Sequence, residues 1–170
     1  MTIDRFTNQV PVSELHERFR CDFERGVLFH REDCQHPYAG KVAGCLKRAG
    51  YVSVKINRKD YLVHRVIWAM YHGTWPRAGL DHKDCDRQNN TIFNLREANQ
   101  QQNCANRTKT SNRSSKMKGV TWHKKVCKWQ AQIRHREKTY YLGVFDTEIA
   151  AHAAYASKAE QLFGPFARVS

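Results

Sequence analysis

Polar and metal-binding side chains are concentrated in one stretch, where the chain reads DHKDCDRQNNTIFNLREANQQQNCAN from Asp81 to Asn106. The stretch opens with a carboxylate beside an imidazole, Asp81 and His82, and Asn94 and Asn103 follow twelve and twenty-one positions after the histidine. Its apolar residues show almost none of the periodicity that a core segment needs. A carboxylate, an imidazole and two carboxamides are the groups required for metal-assisted cleavage of a phosphodiester bond.

Two short arms and a helix are predicted to hold these side chains. Gly79–His82 would form one arm and Asn94–Glu97 the returning arm. Asn99 is placed to cap a helix that runs through Asn103 toward Arg107. The stretch is therefore predicted to be a strand–loop–strand–helix unit, in which Asn103 lies in the opening turns of the helix and faces back toward Asp81.

The adjacency of Asp81 and His82 makes a geometric demand on the first arm. Neighbouring side chains on a regular strand point to opposite faces, so the two groups can serve one phosphate only where the strand ends or bends. An irregular arm is therefore predicted at this point.

A hairpin and a helix are predicted to precede this unit. The alternation over Tyr51–Ile56 indicates a strand, and Asn57–Asp60 turns the chain into Tyr61–Val63. A helical spacing begins at His64 and stops by Gly73. The residues predicted to share its apolar face are Val66, Ile67, Met70 and Tyr71. This helix should pack beneath the polar stretch.

The polar residues also follow a recognisable order. Asp81-His82, Asn90, Asn94-Leu95-Arg96 and Asn103 come after His64-Arg65 and Gly73-x-x-Pro76. This pattern resembles the HNH endonuclease family, in its branch of phage and intron homing endonucleases. The resemblance implies a ββα-metal fold in which His82 is the general base and Asp81 and Asn103 are metal ligands. It further implies that Asn94 braces the loop and orients the base.

The residue types suit these roles on chemical grounds. Water must become a nucleophile near neutral pH, and histidine, with an unperturbed pKa of about 6.5, suits the abstraction of its proton. A hard divalent cation held by oxygen ligands can neutralise the charge that gathers on the phosphate and the leaving oxygen. We therefore expect Mg²⁺, with Mn²⁺ as the alternative, bound weakly until the DNA phosphate and water complete its ligands.

The C-terminal third changes to compact alternation followed by an alanine-rich helix. Strands are predicted over Lys118–His123, Lys128–His135 and Thr139–Phe145, and Asp146 is the predicted N-cap of a helix that ends at Gly164-Pro165. The helix face predicted to lie against the three-stranded sheet consists of Ile149, Ala150, Ala153, Ala154, Ser157 and Leu162.

Short motifs in this third carry a second resemblance. Lys118-Gly119-Val120, Trp129-x-Ala131-x-Ile133-Arg134 and Tyr141-Leu142-Gly143-x-Phe145-Asp146 are similar to the AP2 DNA-binding domain over residues 115–167. The resemblance implies that the exposed face of the sheet enters the major groove of double-stranded DNA. The residues predicted to contact DNA are Lys118, Trp122, Lys124, Arg134 and Tyr141, with Arg65 as a further phosphate contact. Packing in the core is an equal alternative for Trp122 and Tyr141.

Charge and composition agree with a nucleic-acid partner. The chain has 29 Lys and Arg against 16 Asp and Glu, and residues 115–170 have ten against four. We predict an α+β protein: an HNH domain over 1–103, with strands and a helix before its ββα-metal unit, a basic linker over 104–114, and an AP2-like domain of three antiparallel strands and one helix over 115–170. The linker would follow the DNA backbone or serve as a solvated spacer.

Several other classes are excluded. The six cysteines include no Cys-x-x-Cys pair, so no structural zinc is expected. No signal peptide and no bilayer-spanning apolar run is found, which predicts no membrane partner and an intracellular protein with free thiols, in a bacterial cytoplasm if it is phage-encoded. No obligate protein partner is evident.

Two other functions remain open. One is a sequence-specific DNA-binding regulator that carries an inactive HNH scaffold, although the intact set of polar residues speaks against it. The other is a structure-selective RNA or junction nuclease, which is less compatible with a sheet suited to B-form grooves. One active site cuts one strand, so a monomer should nick, and a double-strand break would need a dimer or two successive events.

Overall fold

The computed structural model describes residues 9–33, 37–107 and 114–169, and the chain forms two compact units, Met1–Ala98 and Asn99–Ser170. Both units mix helices with antiparallel strands, as the α+β prediction requires. Residues 108–113 of the predicted linker and Cys34 lie outside the described residues. The predicted domain limits 1–103 and 115–170 stay a prediction.

The first unit consists of three small antiparallel sheets and two helices in its described part. In chain order its elements are α1 (Val12–Arg18), β1 (Phe19–Asp22), β2 (Val27–His30), β3 (Cys45–Leu46), β4 (Val52–Ile56), β5 (Lys59–Leu62), α2 (Val63–His72), β6 (Gly79–His82), a 3-10 helix (Ile92–Asn94) and β7 (Leu95–Ala98). The sheets are β1-β2, β3-β4-β5 and β6-β7.

The β4–β5 hairpin forms where the sequence predicts it. Ile56 pairs with Lys59, so the turn has only two residues, Asn57 and Arg58, with φ of 49° and 65°. Positive φ at both positions matches the twist of the flanking strands, and asparagine tolerates it well.

Helix α2 supplies much of the first unit's core. Val66, Ile67 and Met70 are buried as predicted, but Tyr71 is 51% exposed and does not belong to that face. The helix ends at Gly73, whose φ of 70° is the left-handed conformation that glycine adopts without steric cost.

The β6–β7 hairpin carries the first half of the polar stretch. Its register pairs Asp81 with Arg96 and His82 with Leu95 without a shift. The predicted irregularity within the arm is absent, because β6 is regular over Gly79–His82. The strand nevertheless ends at His82, and a strand end is the other condition under which Asp81 and His82 could serve one phosphate.

The second unit combines a short helix, a three-stranded sheet and a long helix in its described part. Its elements are α3 (Gln100–Asn106), β8 (Val120–His123), β9 (Lys128–His135), β10 (Lys138–Phe145), α4 (Glu148–Phe163) and a 3-10 helix (Gly164–Phe166), with strand order β10-β9-β8. The three strands and the end of α4 agree with the sequence prediction. Helix α3 includes Cys104–Asn106, which the prediction placed in the linker.

Helix α3 begins with a capping box at Asn99, the residue that was predicted to cap it. The Asn99 side chain accepts a hydrogen bond from the backbone N–H of Gln102 at 2.9 Å, and the Gln102 side chain accepts one from the N–H of Asn99 at 2.8 Å. The exchange satisfies donors that the first helical turn otherwise leaves without partners.

Helix α4 packs on the sheet through a different face from the one predicted. Its buried residues are Ala151, Tyr155 and Ala159, whereas Ile149 is 72% exposed. An alanine-rich helix has nearly uniform small side chains, so its sequence does not single out one face. The N-cap is also Thr147 rather than Asp146, because the Thr147 hydroxyl accepts from the N–H of Ala150 at 3.2 Å.

Candidate active site

His82, the predicted base, stands at the end of β6 in a buried position. Its Nε2 lies 3.1 Å from Oδ1 of Asn90, which is also buried. Since a carboxamide oxygen only accepts, Nε2 carries the ring proton and donates it to Asn90. In the neutral ring, Nδ1 is then the nitrogen with the lone pair that can take a proton from water.

Two further rings surround this imidazole. His64, near the start of α2, meets His82 edge to face with ring centroids 4.9 Å apart. Tyr51 lies beside both, with centroids 5.5 Å from His64 and 6.1 Å from His82. Because His64 belongs to α2, its contact with the His82 ring brings this helix against the site. This agrees with the prediction that the helix packs beneath the polar stretch.

His64 is held in its neutral form. Burial, followed by the charges of His82 and Arg65, lowers the pKa of His64 to about 3. Its Nδ1 is buried and has no hydrogen-bond partner within residues 9–33, 37–107 and 114–169. A neutral neighbour suits a catalytic base, because an imidazolium formed at His82 then faces no second cation.

This depressed pKa predicts a loss of stability in acid. The unfolded chain takes up a proton on His64 below its ordinary pKa of 6.5, whereas the folded protein does so only near pH 3, so stability falls as pH falls between these values. Urea unfolding should show a contribution of about 1 kcal/mol per pH unit between about pH 6 and about pH 4. The contribution should vanish in His64→Phe and persist in His72→Gln, which changes an exposed histidine of α2. An unchanged slope in His64→Phe would contradict the assignment.

Asp81, the predicted metal ligand, is paired with an arginine across the hairpin. Arg96 donates from Nε and Nη2 to the same oxygen, Oδ2 of Asp81, at 2.8 Å each. The side chain of Arg96 is 17% exposed and that of Asp81 is 9% exposed, so the pair is largely shielded from water. Sequence reasoning noted Arg96 only as part of the pattern, because the contact follows from strand register.

A carboxylate oxygen is a ligand that hard divalent cations prefer. No group of three or more His, Cys, Asp or Glu residues that could hold a metal occurs in the described part of the chain. A cation at Asp81 would therefore take its other ligands from carboxamide, phosphate or water oxygens, and it would share or displace the Arg96 contact.

Asn94 braces the loop between β6 and β7. Its Nδ2 donates to Oδ1 of Asp84 at 2.9 Å and to the carbonyl of Asn89 at 2.8 Å, and its Oδ1 accepts from the N–H of Asp84 at 3.2 Å. Burial tends to raise the pKa of Asp84, but hydrogen bonds from Asn94, Asn89 and the Asp86 N–H outweigh it and lower the pKa. The ionised carboxylate of Asp84, through its hydrogen bonds with Asn94 and Asn89, thus holds in place the loop that carries Asn90.

An exposed cation near the imidazole was not predicted. The Arg87 guanidinium lies over the Tyr51 ring, 4.9 Å from its centroid, and its Nη1 donates to the carbonyl of Ala49 at 2.6 Å. Because Tyr51 in turn packs beside His82, Arg87 provides positive charge on this side of the site. No spacing in the sequence indicates this stacking.

Arg65 is engaged within the first unit. Its guanidinium donates to the carbonyls of Ala78 and Pro76 at 3.3 Å each. Burial lowers its pKa, although the charge of Glu97 acts in the opposite direction. Arg65 thus fastens the segment between α2 and β6, and its contact with a phosphate stays a prediction.

Two predicted residues lie at α3 in the second unit. Asn103 is the fourth residue of this helix and is half-buried, and its part in holding a metal stays a prediction. The Lys118 ammonium donates to the carbonyls of Ala105 and Arg107, the latter at 2.8 Å. Lysine at this end of a helix satisfies carbonyls that lack intrahelical partners.

Arg134 and Tyr141 share the outer face of the second unit's sheet. In β9, buried Ala131 and Ile133 alternate with exposed Gln132 and Arg134, so Arg134 points away from α4. Tyr141 lies opposite Gln132 and is 61% exposed. We call the face of Gln132, Arg134 and Tyr141 the outer sheet face.

Trp122 lies on the other side of this sheet. It pairs with Trp129, and the two rings meet edge to face with centroids 5.0 Å apart. Trp129 is in phase with buried Ala131 and packs against the core under α4. The structure therefore does not bring Trp122 to the outer sheet face, while Lys124 is exposed in the turn after β8.

None of the described helices is long and apolar enough to cross a membrane.

Three comparisons bear on what the chain is related to. A family model described as HNH endonuclease matches residues 61–105, from β5 into α3. An uncharacterized HNH endonuclease of Acanthamoeba polyphaga mimivirus is 33% identical over 136 residues, which cover 77% of this chain and 68% of the relative.

A solved structure of DNA binding and cleavage by the HNH homing endonuclease I-HmuI is also similar, with a TM-score of 0.42 and 22% identity over 57% of this chain. The match spans 55% of that structure's chain. The family model and the viral relative cover the hairpin with Asp81 and His82 and the helix that follows it. On these two matches, the chain belongs to the HNH endonuclease family.

Proposed function

We propose that this protein is a metal-dependent DNA endonuclease of the homing type, in which His82 activates water and the AP2-like C-terminal sheet docks on double-stranded DNA. Membership of the HNH endonuclease family supports nuclease activity. The observation that carries the mechanism is the buried contact between His82 Nε2 and Asn90 Oδ1. It fixes the ring so that Nδ1 can accept a proton.

The protein's own residues account for the activation of water. His82 Nδ1 takes the proton as the water oxygen attacks phosphorus, and the imidazolium formed keeps its Nε2–H bond to Asn90. His64 stays neutral beside it, and Asn94 keeps the intervening loop in place. The P–O3′ bond then breaks and the leaving O3′ takes a proton from solvent water, which gives a 5′-phosphate and a 3′-hydroxyl; the imidazolium of His82 later returns its proton to solvent.

Asp81 and Asn103 would hold the divalent cation, for which we propose Mg²⁺ with Mn²⁺ as a substitute. When bound, the cation neutralises charge on the phosphate and on the leaving oxygen. Arg96 holds the Asp81 carboxylate in a fixed position on β6. The same pair is the observation that favours the alternative function, a DNA-binding regulator, because an arginine already neutralises the carboxylate.

The outer sheet face is the proposed docking surface for DNA. It places Arg134 beside exposed Tyr141 on a rigid sheet, in a part of the chain where cations outnumber acids. Guanidinium groups pair with phosphates and with guanine edges, and an exposed tyrosine adds apolar contact. Lys118, whose ammonium donates to the carbonyls of Ala105 and Arg107, and Trp122, which is 38% exposed on the other side of the sheet, stay predicted DNA contacts outside this face.

Arg134→Ala should weaken DNA binding and reduce its dependence on salt. Loss of one phosphate contact should lower the slope of log K against log salt by about 0.9. Fluorescence anisotropy with a labelled duplex at several salt concentrations measures both effects. Lys158→Ala is the matched control, since it removes one positive charge from α4, on the other side of the sheet. Equal loss of affinity and slope in both variants would mean that net charge, not the outer sheet face, governs binding.

Incubation of supercoiled plasmid with the protein and Mg²⁺ tests the function itself. The proposal expects nicked or linear products with the wild type, none after chelation of the metal, and 5′-phosphate ends. Binding without cleavage by the wild type would favour the regulator. Cleavage of RNA or of DNA junctions in preference to plasmid would favour a structure-selective nuclease.

A further inference from the structure

Asn90 holds the imidazole of His82, and no catalytic role is assigned to it by the residue pattern. It is buried in the loop between β6 and β7, and its Oδ1 accepts the Nε2 proton of His82 at 3.1 Å. Asn94 braces that loop through Asp84 and the Asn89 carbonyl. The orientation of the base thus depends on the backbone position of Asn90.

The turn between β1 and β2 contacts that backbone directly. The carbonyl of Phe23 accepts a hydrogen bond from the N–H of Ile92 at 3.0 Å. Gly26, with φ of 66°, approaches so closely that a Cβ atom would lie 2.3 Å from the carbonyl carbon of Asn90 and from the nitrogen of Thr91. Only glycine allows this approach, so the N-terminal hairpin and the catalytic loop are in main-chain contact.

We propose that the β1–β2 turn is a positioning element for the active site: Gly26 and Phe23 fix the backbone at Asn90, and Asn90 fixes the Nε2–H tautomer and the orientation of His82. Asn90 is therefore a positioning residue that acts through the base. The effect on cleavage rests on the proposed function, whereas the tautomer of His82 can be measured without any cleavage.

Gly26→Ala tests the contact, and Gly73→Ala is its matched control. Both glycines have left-handed backbones, with φ of 66° and 70°, so alanine introduces similar local strain at each. A Cβ at Gly73 meets nothing within 4 Å, whereas at Gly26 it meets the Asn90–Thr91 backbone. We expect kcat to fall by at least about tenfold in Gly26→Ala with KM little changed, and to stay within about twofold in Gly73→Ala. Equal kcat values in the two variants would overturn the proposal.

Nitrogen-15 NMR of the His82 ring provides the second measurement, in folded full-length protein. The wild type and Gly73→Ala should show a protonated Nε2, whereas Gly26→Ala and Asn90→Ala should show a mixture of tautomers.

Different results would contradict the proposed nuclease function and the proposed positioning role of the β1–β2 turn. A wild type that cuts no nucleic acid would contradict the nuclease, while a clean Nε2–H signal lost in Asn90→Ala would still support the positioning element. Retention of the wild-type tautomer in Asn90→Ala, or in a folded Gly26→Ala, would overturn the positioning role even in an active nuclease.

Discussion

His82→Ala should reduce kcat for DNA cleavage by about 100-fold to 10,000-fold, which is the range that a positioned general base contributes. The imidazole is buried against His64 and Asn90, and its Nδ1 is the proton acceptor in the proposed mechanism. Affinity for duplex DNA should change by less than about threefold, because the outer sheet face is untouched. Single-turnover cleavage and anisotropy on the same preparation separate the two quantities.

Two controls make this result specific. His72→Ala removes an exposed histidine from the end of α2 and should leave both cleavage and binding near their wild-type values. Thermal unfolding shows whether His82→Ala retains its fold, since the lost ring packs against His64. Cleavage at more than a tenth of the wild-type rate by a folded His82→Ala would show that another group activates the water.

Asp81→Asn should have the second largest effect, a loss of cleavage of about 100-fold or more, because it removes the charge on the proposed metal ligand. The substitution keeps the shape of the side chain but leaves Arg96 without its carboxylate partner. Since Asp81 is buried and the Arg96 side chain is only 17% exposed, the accompanying loss of stability should be about 3 kcal/mol, at the lower end of the range for broken buried pairs. Cleavage rates and urea unfolding measure the two effects separately.

The double variant Asp81→Asn with Arg96→Met distinguishes catalysis from stability. Removal of both charges should restore most of the stability lost in Asp81→Asn, while cleavage stays lost. Arg96→Met alone keeps the carboxylate, so we expect Mg²⁺ to raise its melting temperature more than that of the wild type. The control for the loss of a carboxylate charge is Asp60→Asn. The Asp60 side chain is exposed, and its Oδ2 lies 3.6 Å from the Lys47 Nζ. Full cleavage by Asp81→Asn, or an Mg²⁺ response that Asp81→Asn preserves, would contradict the metal site.

The N-terminal part of the chain supports the candidate active site through the β1–β2 turn, which the sequence alone does not indicate. Its residues carry no recognisable catalytic groups, yet the β1–β2 turn meets the backbone of Asn90 through Gly26. Truncations that begin at the hairpin with Asp81 and His82 would therefore remove part of the support for the base. Measurements of the site therefore need a protein that retains both the β1–β2 turn and helix α3 with Asn103.

Local signals determined what could be predicted from the sequence alone. The turn at Asn57 and Arg58, the cap at Asn99 and the end of α2 at Gly73 follow from backbone chemistry within a few residues. The order of Asp81, His82, Asn94 and Asn103 identified the family, because it lies within one short stretch. These features need no knowledge of how distant segments pack.

Tertiary structure decided the rest. The rotation of α4 onto Ala151, Tyr155 and Ala159 could not be predicted, since its small side chains differ little in hydrophobicity. The pairs Arg96–Asp81 and Gly26–Asn90 join residues through strand register and the packing of loops far apart in the chain. Periodicity shows that an element has a buried side, but only the assembled fold selects which partners that side meets.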